Sequence, residues 1–180
     1  MLSINNLLRR KELGLMGHVE LLVDGRRVSP RDLFKGGYQV AFGVPNMGKV
    51  CTEAHVPSFV ASAPQLKELG IRLPVICLAQ GSPHEVAKWQ QGLGLDTGLV
   101  QPVVDVGGRL TRFLGLNFPG PSADGGPKSM RWAALIDHGV LLQTLVEKSP
   151  ADLTVSSGEE MVKLVQKTRA VHEDLSEDSA

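Results

Sequence analysis

QVAFGVPNMGKVCTEAHVPSFV, residues 39–60, decides the fold, and it admits two incompatible readings. Gly43-Val44-Pro45-Asn46-Met47-Gly48-Lys49 has the GxxxxGK spacing of a loop whose backbone N–H groups cradle phosphates. Two residues later Cys51 opens a stretch with helical spacing, where a reactive thiolate would sit. The nucleotide reading meets three obstacles. Val50 stands after Lys49, where a Ser or Thr would have to ligate Mg²⁺. Pro45 removes a donor from the cradle, and no Asn-Lys-x-Asp guanine-reading stretch follows. Asp105-Val106-Gly107-Gly108 has the form of a γ-phosphate sensor but lacks those companions. The thiol reading needs less. A cysteine in the first turn of a helix meets unpaired N–H groups and the positive end of the helix dipole, both of which favour thiolate. Lys49 adds a cation and Glu53 opposes it. Thiolate is the species that attacks a peroxide oxygen and becomes sulfenic acid. A buried inert cysteine is the commoner fate of a lone Cys. Position alone leaves both open.

The rest of the chain bounds the answer. Its 180 residues suit one domain with a full core, and 42% apolar with 21% charged residues is ordinary for a globular protein. Nineteen basic residues balance nineteen acidic ones, which removes the electrostatic case for nucleic acid or an anionic membrane. No apolar run reaches the ~20 residues of a membrane span. The two cysteines, Cys51 and Cys77, make no secreted disulfide framework and no signal-peptide core precedes them, so an intracellular reducing compartment is expected. The opening MLSINNLLRRKELG holds no acid before Glu12 and reads as an organelle-targeting remnant, mitochondrial among others, or as a solvated helix of a cytoplasmic protein. Residues 1–17 are thus an extension, 18–168 the domain, and 169–180 an acidic, frayed tail.

Working outward, HVELLVDGRRV alternates about Asp24-Gly25 as a hairpin, and SPRDLF starts a helix at Ser29-Pro30. YQVAFGV is a buried strand. The helix from Cys51 to Leu69 contains Pro57 and Pro64, which should kink or break it, and Gly70 ends it. IRLPVICLA is a second central strand, SPHEVAKWQQGLG a helix with the Ser-Pro start repeated at Ser82, GLVQPVVD a strand and GGRLTRFLGL a short helix. NFPGPSADGGPKSM is a loop, RWAALIDHGVLLQTLVE two strands turned at Asp137-His138-Gly139, and SSGEEMVKLVQKTRAVHED a closing amphipathic helix with capping-box spacing at Ser157 and Glu160. The order predicts one α/β domain with a mixed central sheet.

The neighbourhood of Cys51 carries more. Phe42-Gly43-Val44-Pro45, then Cys51, then Ala54-His55-Val56-Pro57-Ser58-Phe59, is similar to the active-site segment of the type II (redoxin-type) peroxiredoxins of the thioredoxin superfamily. The similarity continues in order through ICLAQGSPHEVAKW, VVDVGGRLTRFLGL, MRWAALIDHGVL and LTVSSGEEMVKLV, from the hairpin near Val19 to the last helix. The resemblance implies a thioredoxin-like fold with a mixed sheet flanked by helices and an N-terminal β-hairpin. It places Cys51 as the peroxidatic cysteine and Arg131 as the arginine against it, whose guanidinium would stabilise the thiolate and the departing oxygen. Cys77 matches the second cysteine of plant-type members, able to resolve oxidised Cys51 if local unfolding brings the two together. By itself, Cys77 in PVICLA reads as a packed small hydrophobe. The implied substrate is H₂O₂ or an alkyl hydroperoxide and the implied reductant thioredoxin or glutaredoxin, with no cofactor and no metal.

The chain also departs from that pattern. Family loops read Pro-x-x-x-Thr-x-x-Cys; here Pro45 lies six positions before Cys51, one residue short, and Gly48 stands where a peroxide-binding hydroxyl is expected. Losing such a donor costs on the order of 10²–10³ in rate in other enzymes. Thr52 and Lys49 are the nearest replacements in sequence, though Thr52 points onward into the helix. The competing expectation is therefore a redoxin fold kept as an interaction subunit, as a homodimer or in a larger complex, with little activity. His55 lies four residues after Cys51, within reach as a base, but its place in His-Val-Pro suggests a structural hydrogen bond near the kink. His84, His138 and His172 have no metal-ligand spacing, and Trp89 and Trp132 read as packing residues.

Overall fold

The structure, a computed structural model, describes residues 11–13, 18–121 and 126–177. The readings placed on residues 1–10, on the middle of the 119–127 loop and on the last three residues lie outside these. The strands are β1 (Lys11–Glu12), β2 (Leu21–Val23), β3 (Arg26–Val28), β4 (Tyr38–Gly43), β5 (Val75–Ala79), β6 (Val100–Asp105), β7 (Trp132–Asp137) and β8 (Val140–Val146). The helices are α1 (Pro30–Phe34), α2 (Val56–Glu68), α3 (Pro83–Leu93), α4 (Arg109–Leu114) and α5 (Gly158–Glu177). One eight-stranded sheet runs in the order β1-β8-β7-β4-β5-β6-β2-β3. Only β4–β5 and β5–β6 are parallel; every other pair is antiparallel. Both hairpins turn on a pair with positive φ, Asp24-Gly25 and His138-Gly139, as two-residue hairpin loops require.

The central strands are buried on both faces, and their side chains alternate between two cores. Val40, Phe42, Val75 and Cys77 face Cys51, Phe59 and Leu66 together with Met161 and Val165 of α5. Ala41, Ile76 and Leu78 face Phe34 of α1, Leu110 of α4 and Trp132. Gly43, paired with Trp132 across β4 and β7, has no room for a Cβ because the Trp132 indole lies there. The mixed sheet, flanking helices and β2–β3 hairpin are those the resemblance implied.

Three local findings refine the reading. The helix after Cys51 is continuous: a wide π-helical turn over Cys51–His55 leads into α2, which runs through Pro64 to Glu68. Pro57 is the second residue of α2 and follows directly on that wide turn. Gly70 and Ile71 close α2, their N–H groups bonding Lys67 O at 2.9 Å and Leu66 O at 3.0 Å. Second, Lys11–Leu13 of the expected extension docks: β1 pairs with β8, Leu13 N donates to Gly139 O at 2.8 Å, and the Leu13 side chain is buried. Third, α5 continues to Glu177, through much of the stretch read as tail.

Candidate active site

Strand β4 delivers the chain to a bend at 45–48, and Lys128 N fastens that bend by donating to Pro45 O at 2.8 Å. Helical backbone begins at Lys49, so Cys51 lies in the first turn, as its spacing predicted. The phosphate cradle does not form. Gly48 N donates to the Asn46 side chain at 2.9 Å, and Asp105, the would-be γ-phosphate sensor, spends its carboxylate on Leu110 N, Thr111 N and Thr111 Oγ1 at 2.6–3.0 Å.

Cys51 and Arg131, 80 residues apart in sequence, meet: Arg131 NH1 is 3.4 Å from Cys51 Sγ. Both are nearly sealed, 1% and 2% exposed. Arg131 enters from the residue before β7 and lines a cleft of about 280 Å³ together with Pro45, Val50, Pro127 and Pro150, with Asn46 and Gly48 on the same lining. The guanidinium is held from behind. Its NH1 also meets His55 Nδ1 at 3.0 Å, and its NH2 donates to Pro150 O at 3.0 Å. His55 Nε2 lies 3.0 Å from Ser156 O. A carbonyl only accepts, so Nε2 carries the proton and Nδ1 offers its lone pair to Arg131. Burial first, and then the Arg131 charge, push His55 down to about 3. It is therefore a neutral acceptor committed to Arg131, not a base for Cys51. The structural hydrogen bond suggested by His-Val-Pro is what forms.

Glu147 anchors this backing. Its buried carboxylate accepts from Thr154, Val155 and Ser156 N at 2.8–2.9 Å and from the Thr154 and Ser156 hydroxyls. Burial raises its proton affinity, but those hydrogen bonds outweigh burial and hold it down to about 2. The anion thus folds the segment that presents Pro150 O and Ser156 O to the site.

Neither replacement for the missing hydroxyl reaches the sulfur. Thr52 Oγ1 donates to Gly48 O and accepts from Trp89 Nε1, both at 2.9 Å. Lys49 Nζ is exposed and pairs with Glu53 at 3.8 Å. Besides Arg131 NH1, Asn46 Oδ1 lies beside Sγ, at 3.6 Å, and sequence reasoning passed it over. Cys77 lies on β5 in the same core cluster as Cys51, wholly buried, and burial followed by the neighbouring Cys51 sulfur pushes its thiol well up. Both cysteines are free thiols. Among the described residues no helix is long and apolar enough to cross a membrane.

Comparison with known proteins bears on the family and the fold. No protein-family model matches the chain. The mitochondrial peroxiredoxin-2F of Arabidopsis thaliana is 33% identical over 129 residues, 71% of this chain and 63% of that protein, so the chain spans less than two thirds of that relative's length. Peroxiredoxin-2C of the same plant is 32% identical over 137 residues, 76% of this chain and 83% of that protein. Among solved structures, reduced Prx3 from Vibrio vulnificus superposes with a TM-score of 0.77 at 25% identity, over 87% of this chain and 97% of that one. With its cysteine and arginine brought together on this sheet and helix frame, the chain belongs to the type II peroxiredoxins.

Proposed function

We propose that the protein is a thiol-dependent peroxidase acting on H₂O₂ or alkyl hydroperoxides through Cys51. The observation that carries this reading is the 3.4 Å contact of Arg131 NH1 with Cys51 Sγ, beside a cleft that Arg131 lines. The Cys51 thiolate attacks the terminal peroxide oxygen: an S–O bond forms, the O–O bond breaks, and the distal oxygen leaves as hydroxide or alkoxide. That oxygen takes a proton from solvent to become water or alcohol, and Cys51, oxidised by two electrons, remains as sulfenic acid. The guanidinium, fixed by His55 Nδ1 and Pro150 O, faces the charge as it moves from sulfur to oxygen. Its Nε is buried and has no hydrogen-bond partner among the described residues.

Thioredoxin or glutaredoxin returns the two electrons, directly or through a Cys51–Cys77 disulfide. The direct route is favoured while the fold is closed, because the buried Cys77 thiol resists ionisation and thiolate is the species that attacks. The mitochondrial relative suggests an organelle as its place of work. The scaffold-only reading drew on Gly48; the buried Cys51–Arg131 pair, with His55 and Pro150 O behind the guanidinium, speaks against it.

Stopped-flow reaction of the reduced protein with H₂O₂, with Cys51→Ser as control and mass detection of sulfenate, tests the proposal. A rate far above that of free cysteine, abolished by the substitution, is expected. A rate equal to free cysteine would leave the fold without its chemistry.

A further inference from the structure

We propose that the Asn46 carboxamide takes the catalytic place of the hydroxyl that position 48 lacks; this rests on the peroxidase reading. In the attack the proximal peroxide oxygen keeps its hydrogen as the S–O bond forms, and an acceptor beside the sulfur must hold that hydrogen. Asn46 Oδ1 has two lone pairs. One accepts Gly48 N–H at 2.9 Å, which fixes the carboxamide without any movement during reaction. The other faces Cys51 Sγ at 3.6 Å and accepts the thiol proton. When the thiol ionises, that seat is vacated, and the O–H of a peroxide lying on the sulfur occupies it. The proximal oxygen is then held by Asn46 and the distal oxygen by Arg131, across a cleft that both residues line.

The glycine belongs to the same arrangement. A Cβ at position 48 would come within 2.9 Å of Asn46 Oδ1. A threonine at 48 and the carboxamide of residue 46 therefore compete for one seat beside the sulfur. The absent hydroxyl and the carboxamide are two halves of one exchange.

The test is a double-mutant cycle of peroxide reaction rates, read by stopped flow, with iodoacetamide alkylation of Cys51 measured in parallel. Alkylation needs the thiolate but no peroxide O–H acceptor. Asn46→Ala should slow the peroxide reaction about 10²-fold while alkylation holds or quickens. Asn46→Ala combined with Gly48→Thr should regain at least about tenfold, because the hydroxyl then finds the seat empty. Three results overturn the inference: Asn46→Ala within about twofold of the unmodified protein, alkylation falling in step with the peroxide rate, or no recovery in the double variant. If the unmodified protein reacts no faster than free cysteine, the peroxidase reading itself fails and takes this one with it, a result separable from the other three.

Discussion

His55 uses both ring nitrogens, and each use has a thermodynamic signature. Buried among Phe42 and Phe59, with ring centroids 4.8 and 5.6 Å away, it stays neutral in the folded protein down to about pH 3, against 6.5 for the free side chain. Between those values only the unfolded chain takes up the proton. Stability from this group is complete above pH 6.5 and is lost as pH falls toward 3, at roughly 1.4 kcal/mol per pH unit. Glu147 pulls the same way over a lower window, from 4.5 down to about 2. Thermal unfolding followed from pH 7 to pH 4 should show the melting temperature falling throughout. A His55→Leu variant should start lower, by about 1–3 kcal/mol for the buried partners it strands, yet fall less steeply between pH 6.5 and 4.5. Parallel curves for the two proteins would refute the assignment. Since His55 does not titrate near neutrality, the peroxide rate should show no leg belonging to it between pH 5 and 8.

At the scale of elements, the wide turn at Cys51–His55 joins the bend at 45–48 to α2, and Trp89 reaches it from α3 through Thr52. Such turns are local departures from helix geometry that recur at functional sites. The turn carries Cys51 at one end and an indole hydrogen bond on its second residue, so oxidation of the sulfur should be visible in Trp89 emission. Trp132 sits in the opposite core against Gly43. Trp89→Phe should remove the fluorescence change that accompanies peroxide addition, and Trp132→Phe should keep it; the reverse pattern would place the optical signal on the wrong face of the sheet. Sequence read this region well where its signals were local: the Ser-Pro start at Ser82 opens α3, and Gly70 closes α2. Of the two outcomes expected for the prolines, kink or break, the helix does not break, and its irregularity is the widened turn directly before Pro57. Asn46 and Glu147 were illegible for a different reason. Asn46 acts through the bend of a loop with no periodicity, and Glu147 through partners seven to nine residues on in an irregular segment.

For the whole molecule, the sheet decides what the N-terminal segment is for. Its outer strands are short: β3 exposes Arg26 and Arg27, and β1 is two residues long, features that blunt an edge against pairing with other chains. Leu13, 1% exposed, packs into the Trp132 core, so the folded domain begins before the boundary at residue 18 that composition suggested. Leu13→Ala should cost about 2–5 kcal/mol in denaturant unfolding, whereas removal of residues 1–10 alone should leave the midpoint of a chain beginning at Lys11 above that of the Leu13→Ala variant. Equal losses would argue against the docked segment. The same architecture also sets a timetable. His55 is synthesised 101 residues before Ser156, the carbonyl that fixes its ring, and Cys51 80 residues before Arg131. At ~5–20 residues per second, the ribosome exposes the thiol for roughly 5–20 s before the segment that orients its arginine exists. A stalled or truncated chain therefore carries an ordinary cysteine, and only a finished one is armed.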